Sequence, residues 1–454
     1  MERSQHSRPH APSSPPLVER IIKPFEEFAA IEASGGVVLL GAMVVALVVA
    51  NSPWAGSYAA FWQTQLGVSP EWLGLARPLS FWINDGLMAI FLFVMGLEIK
   101  RQVLAGQLAS PRRAALPIVA AVGGMLVPGL VYLSLNLSSD GARGFGIPMA
   151  TDIAFTIGVM ALLGARVPAG VRIFVVALAI ADDIGAVIVI AIFYSHALAW
   201  NQLAAAGAIL ILLALANRAG VRSPLIYGVL GVGLWIALLD SGVHTTIAGV
   251  LLAAAVPART RINADEFLAR SQALLAGFAS TARGTNGPLA DADQLAALHS
   301  LEEACEKAAT PLQRMEHRLH PWVTFGVLPL FALVNAGLSL TEIGGITASP
   351  RVVFGVAMGL VLGKPIGIML ACWLAVRFRL AVWPENTSWV QMLGASCLCG
   401  IGFTMALFIA TLAFGTSEAL AGAKLGILLA SALAALAGSA LLARDRSAER
   451  GDRA

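Results

Sequence analysis

The stretch Ile173–Tyr194 reads IFVVALAIADDIGAVIVIAIFY, and Asp182 and Asp183, near its midpoint, are its only charges. As a helix the run is long enough to cross about 30 Å of hydrocarbon. A charged side chain at that depth costs about 2.5–3.5 kcal/mol to insert. Two adjacent like charges then need a cationic partner or a bound cation. This helix is therefore expected to carry an ion or proton site. A helical turn takes about 3.6 residues, so the two carboxylates project about 100° apart. One can face a fixed positive charge while the other faces an ion or proton path.

The rest of the chain has the same character. Of 454 residues, 57% are hydrophobic and 13% charged, where a soluble chain carries about 25% charged residues. Apolar stretches recur from residue 33 to residue 442, and twelve spans account for them. Of the 30 basic residues, 25 then fall on the side that holds both termini. Only Arg77, Arg143, Arg351 and Lys424 fall on the other side, and Lys364 lies within a span. By the positive-inside rule, both termini are cytoplasmic. The fold class expected is an all-α polytopic membrane protein. The net charge of +3 is small and its basic residues are spread over many loops, which argues against nucleic acid as a partner. No phosphate-binding loop and no catalytic motif stands out, so an enzyme is not expected.

The expected organisation is a tail over 1–32, spans 1–8 over 33–256, a loop over 257–319, spans 9–12 over 320–442 and a tail over 443–454. The N-terminal tail is polar and Pro-rich, without an early apolar core, so no cleaved signal peptide is expected. Within it, Leu17, Ile21, Phe25 and Phe28 have the spacing of a short amphipathic helix on the membrane surface.

Lys364 is central in VVFGVAMGLVLGKPIGIMLACWLAV, residues 352–376. So deep a lysine needs a carboxylate or a water-filled cavity, and an aspartate of the 182–183 pair is the natural partner. Asp152 is a third intramembrane carboxylate, in GIPMATDIAFTIGVMALLG, where Pro148 and the Ala-Thr-Asp run interrupt the apolar segment. Gly400 and Gly402 mark a second candidate break in GASCLCGIGFTMALFIATLAF. Broken helices of this kind expose half-helix ends that can meet ions.

Several of these motifs together resemble the NhaA family of Na+/H+ antiporters. They are WINDGLMAIFLFVMGLEIKR at 82–101, ATDIAF at 150–155, ALAIADDIGA at 177–186, SGVHTTIAGV at 241–250, LHPWV at 319–323, LPLFALVNAG at 328–337 and GKPIGI at 363–368. The resemblance runs in order from about residue 20 to 443 and implies an NhaA-type fold. In that fold helices 3–5 and 10–12 are inverted repeats and broken helices 4 and 11 cross. It implies an electrogenic sodium (or lithium)/proton antiporter of the bacterial inner membrane, homodimeric, serving pH and sodium homeostasis without a cofactor. Carried over by position, Asp183 is the main cation- and proton-binding carboxylate, and Asp182 assists it and pairs with Lys364. Thr151 lines the site, and Asp152 and Lys364 offset the charges of the half-helix ends. Asp85 falls on an outer path and Glu98 in a cytoplasmic funnel. Glu316, His317 and His320 form a cluster linked to pH sensing, and His244 matches another histidine of the family.

The loop over 257–319 departs from the family in its length. Its second half has Leu295, Leu298, Leu301, Cys305, Ala308, Leu312 and Met315 at helical spacing. An amphipathic helix capped by Asp291 or Asp293 is expected there, after a linker through ASTARGTNGPLAD. The four cysteines form no ligand set, and most tryptophans fall near span ends as interfacial anchors. Two other classes compete with this reading. An intramembrane aspartyl protease also uses paired aspartates, but ADDIGA lacks its motif. A sodium-coupled organic-anion symporter of the bile-acid type is the nearer alternative, disfavoured by the Asp-Asp pair facing Lys364.

Overall fold

The computed structural model describes residues 17–67, 76–137, 139–195, 198–239, 241–260, 262–281, 292–339, 349–384, 387–415 and 417–444. The expected N-terminal tail before residue 17, Asp291 and most of the 279–291 linker lie outside the described residues. Apart from one short strand pair, Gln65–Leu66 with Arg77–Pro78, the regular structure described is helical.

The first helices are α1 (Leu17–Ala50), α2 (Ala55–Trp62), α3 (Leu79–Ala105) and α4 (Pro111–Asn136). A tight 3₁₀ segment, Asp140–Met149, leads across a break into α5 (Ile153–Leu163). Then follow α6 (Ala169–Phe193), α7 (Trp200–Arg218), α8 (Pro224–Leu239) and α9 (Ile247–Ala255). The loop forms α10 (Ala264–Thr281) and α11 (Ala292–Ala308). The last helices are α12 (Pro311–Ala336), α13 (Pro350–Arg377), α14 (Trp389–Leu398), α15 (Phe403–Phe414) and α16 (Glu418–Arg444).

Among the described residues, seven helices are long and apolar enough to cross a membrane: α3, α4, α6, α7, α12, α13 and α16. Up to ten spans result if each of three bent pairs is one span. One pair turns by 118° between Ser34–Ala50 and Ala55–Trp62. The other two are milder, 41° between the 3₁₀ segment and α5, and 46° between α14 and α15. The stretch expected to span over 242–256 is helical only over Ile247–Ala255. Turns fill the approach, where the Ser241 hydroxyl accepts the Val243 N–H at 3.1 Å.

The apolar interior has two parts. The smaller gathers Phe93 and Leu97 of α3 with Leu213, Tyr227, Leu234, Leu252 and Leu312 of α7, α8, α9 and α12. The larger joins α4, α5, α6, α13, α14, α15 and α16, with α1 and the rest of α12 packed beside them. In the larger part α4 and α13 approach at Gly123 and Gly367, where a Cβ on either would meet the other's backbone carbonyl. Small residues permit that approach and the van der Waals contact that holds membrane helices together. The C-terminal end of α9 is capped by Lys100, whose Nζ donates to the carbonyls of Ala254 at 2.7 Å and Val256 at 2.6 Å. A cation there opposes the negative end of the helix dipole.

Three expectations need correction. The surface helix at 17–28 is not separate, because one helix runs unbroken from Leu17 to Ala50, through Pro24 and the Gly35–Gly36 pair. The loop holds two helices rather than one, since ADEFLARSQALLAGFAST is also helical, with the Asn263 side chain accepting the Glu266 N–H at 2.8 Å as its cap. Asp293 lies inside α11, which begins at Ala292, so it is not the residue that precedes the helix. The two loop helices pack on each other. Below them the chain closes on itself, with the Leu312 N–H donating to the Pro257 carbonyl at 3.3 Å.

Candidate functional site

Interrupting a helix frees backbone donors and acceptors at each new end, and in hydrocarbon those groups must find partners within the protein. The two milder breaks satisfy each other. Asp152, extended at φ −87° and ψ 105°, accepts the Phe155 N–H on Oδ1 at 3.0 Å and so caps α5. Its Oδ2 accepts the Thr404 N–H at 3.0 Å and the Thr404 hydroxyl at 2.5 Å. One carboxylate thus faces the positive N-terminal ends of both α5 and α15.

The carbonyl ends are met from the opposite strand of the crossing. The Thr151 hydroxyl donates to Cys399 O at 2.9 Å, Thr156 to Leu398 O at 3.2 Å and the Asp152 N–H to Ile401 O at 2.7 Å. Lys364 donates to Met149 O, at the end of the 3₁₀ segment that carries Pro148. Gly402 allows the close passage, since a Cβ there would lie 3.2 Å from Ala150 O. Gly400 stands against the Leu360 carbonyl of α13 in the same way.

Asp182 and Asp183 on α6 face this crossing differently. Lys364 Nζ lies 2.6 Å from Asp182 Oδ2, with both side chains fully buried. Thr151 adjoins the same carboxylate. Asp183, 3% exposed, turns instead to a narrow cavity of about 40 Å³ lined also by Glu98, Thr151, Asp152, His320, Thr324 and Thr404. Its Oδ1 accepts no hydrogen bond from the described residues. The charges acting on it include three carboxylates, Asp182, Glu98 and Asp152, against the single cation Lys364.

The cavity runs toward the end of the molecule that bears the loop helices. There Glu98 is buried, with Arg101 at 3.7 Å. Arg101 Nε also donates to both Glu316 oxygens, at 2.9 and 3.0 Å. His317 is exposed and does not line the cavity, whereas His320 does. At the far end Asp85 sits in a π-helical turn of α3, Trp82–Leu87, and accepts the Thr245 hydroxyl at 2.6 Å. His244 Nε2 is 3.8 Å from the same oxygen, and its ring stands edge-on to Phe408 of α15. Asp85 and His244 form a cluster apart from the Asp183 cavity. Near them Asn335 Nδ2 donates to Asn84 Oδ1 at 2.7 Å.

The sequence reading missed Thr404, Thr324, Arg101 and the Asn84–Asn335 pair. Arg101, three residues after Glu98, had a helical-spacing signal. Thr404, just past the glycines of the second break, had only its position.

This arrangement can be set beside known proteins. A family model described as Na+/H+ antiporter 1 matches residues 26–442. The chain belongs to that family. It is 50% identical over 423 residues to "Na(+)/H(+) antiporter NhaA 2" of Syntrophotalea carbinolica, covering 93% of this chain and 96% of the relative. It is 47% identical over 431 residues to "Na(+)/H(+) antiporter NhaA" of Oleidesulfovibrio alaskensis, covering 95% and 96%. Membership in this antiporter family sets aside the organic-anion symporter. The relatives are bacterial and the chain is a multi-pass membrane protein, which places it in the bacterial inner membrane.

Proposed function

We propose that Asp183 is the carboxylate at which a sodium or lithium ion and a proton exclude one another. The chain is a secondary-active sodium/proton antiporter of pH and sodium homeostasis, not an enzyme. The observation that carries the site assignment is the division of labour on α6. Asp182 is held by Lys364 through Oδ2, while Asp183, with no cationic partner within ion-pair distance among the described residues, lines a cavity with other oxygen-bearing side chains.

A hard cation takes oxygen ligands, and a deprotonated carboxylate is the strongest one present. A proton on Asp183 removes that ligand, so each ion weakens binding of the other by the same factor. Exchange follows when the carrier changes its facing only with the site occupied by one or the other. Asp182 assists and keeps Lys364 in place, Thr151 lines the site, and Asp152 and Lys364 balance the half-helix ends. Glu98 and His320 lie on the path toward the loop end, and Glu316 and His317 form the regulatory rim beside it. Asp85 and His244 belong to the outer path.

The architecture that goes with this mechanism has twelve spans and both termini in the cytoplasm. Helices 3–5 and 10–12 are inverted repeats, broken helices 4 and 11 cross at the site, and two copies form a homodimer. The loop over 257–319 is a cytoplasmic insert. Asp183→Asn keeps the side-chain volume and removes the exchangeable charge. It should abolish sodium-driven proton efflux from proteoliposomes while the protein stays inserted. Retention of a substantial fraction of the wild-type rate would move the site elsewhere.

A further inference from the structure

Thr404 lines the same cavity as Asp183, and its hydroxyl proton is already committed. The Oγ1–H points to Asp152 Oδ2 at 2.5 Å. That carboxylate accepts the Phe155 N–H, the Thr404 N–H and the hydroxyl. This pattern fits an ionised acceptor. A hydroxyl has one donor and two acceptor lone pairs, so once its proton is spent only oxygen lone pairs remain for the cavity. Thr151 also has a carbonyl, Cys399 O, within donating distance at 2.9 Å. Asp183, which lines the same cavity, has an Oδ1 that accepts no hydrogen bond from the described residues.

We infer that Thr404 is a specificity-determining ligand of the transported cation, contributing Oγ1 beside the Asp183 carboxylate. The inference rests on Asp183 being the cation site. Its chemistry is simple. A fixed donor in this cavity would suit an anion or a carbonyl, while a hydroxyl locked as an acceptor suits a small hard cation. The volume of about 40 Å³ leaves room for an ion with about two or three waters, fewer than a full hydration shell, since one water needs roughly 10–15 Å³ of such space. Neutral oxygens must therefore replace part of the hydration shell, and Thr404 is held by the break itself at a fixed position to do so. Its backbone N–H would continue to hold Asp152 if the hydroxyl were removed, so the charge balance of the crossing does not depend on Oγ1.

The test compares Thr404→Val, which keeps the shape, with Thr404→Ser, which keeps the hydroxyl. Both are read against wild type and Asp183→Asn. Sodium and lithium dependence of proton efflux is measured in proteoliposomes, and melting temperature is measured in detergent with and without each ion. The valine variant should raise the apparent KM for sodium about tenfold or more, the usual scale for losing one polar contact. Its maximal rate should fall far less, its sodium-induced rise in melting temperature should shrink, and its lithium-to-sodium preference should change. The serine variant should stay close to wild type. If the valine variant does not accumulate in the membrane, Thr404→Ala in the same assays takes its place.

An unchanged KM and an unchanged thermal response to sodium would overturn the inference. So would a lower maximal rate and lower melting temperature at constant KM, which marks a purely structural hydroxyl. Persistence of exchange and of the sodium response in Asp183→Asn would instead remove the parent reading of the site.

Discussion

Two ion pairs at opposite ends of the burial scale frame the molecule. Lys364 and Asp182 meet at 2.6 Å with neither side chain exposed. Arg270 and Glu303 link the loop helices at 4.0 Å with 43% and 55% of their side chains exposed. A surface pair contributes about 0–1 kcal/mol, because water screens it and two long side chains must be ordered. A buried pair is different in kind: its net contribution is small, yet removing one partner strands a charge at a cost of about 3–5 kcal/mol. The crossing is therefore built so that each charge depends on the next. The loop hairpin is built so that little depends on it.

Lys364→Ala should show the largest effect. It strands Asp182 and frees Met149 O, so the purified variant should melt well below wild type, in line with about 3–5 kcal/mol lost. Lys364 is also the fixed charge best placed to move with the site. Displacing one elementary charge across the membrane is worth about 2.3 kcal/mol per 100 mV. Sodium uptake into proteoliposomes at clamped potentials should thus respond less to voltage in the variant than in wild type. Equal voltage dependence together with equal melting would erase the contrast between the two pairs.

Replacing Ala264–Ala308 by a short Gly/Ser linker should leave sodium/proton exchange active. The Pro257–Leu312 hydrogen bond already closes the base of the loop, and the hairpin contributes no side chain to the Asp183 cavity. Complete loss of transport in a folded, well-inserted variant would make the hairpin part of the exchange machinery. The smallest effect belongs to Arg270→Ala. A change in unfolding free energy above about 1 kcal/mol would contradict its assignment as a solvated surface pair.

What could be read beforehand follows the same divide. Asp182, Asp183, Asp152 and Lys364 stood out because a charge in an apolar run is expensive, and expense is visible in one dimension. Pro148 and the Gly400–Gly402 pair marked the breaks through backbone chemistry that is equally local. Thr404 was not legible, since a threonine in a membrane helix is ordinary until a carboxylate from another break is known to face it. The helix α10 was legible and overlooked. Phe267, Leu274, Leu275 and Phe278 have helical spacing behind an Asn263 cap. The unbroken length of α1 was hidden by the change from a charged to an apolar sequence near its middle.

Three of the through-going helices contain a π-helical turn: Trp82–Leu87 in α3, Val323–Val327 in α12 and Gly359–Gly363 in α13. Asp85 lies within the first, Thr324 of the cavity within the second, and Lys364 directly follows the third. Such a turn holds one residue more than the α-helix needs, and each residue is worth about 100° of rotation. Each of these helices is in effect two rods joined out of phase, whose upper and lower faces are aimed independently. Deleting a single residue from one of these turns would rotate everything beyond it by about a quarter of a circle. Substitution is therefore a mild perturbation here, and a change of chain length by one is a severe one.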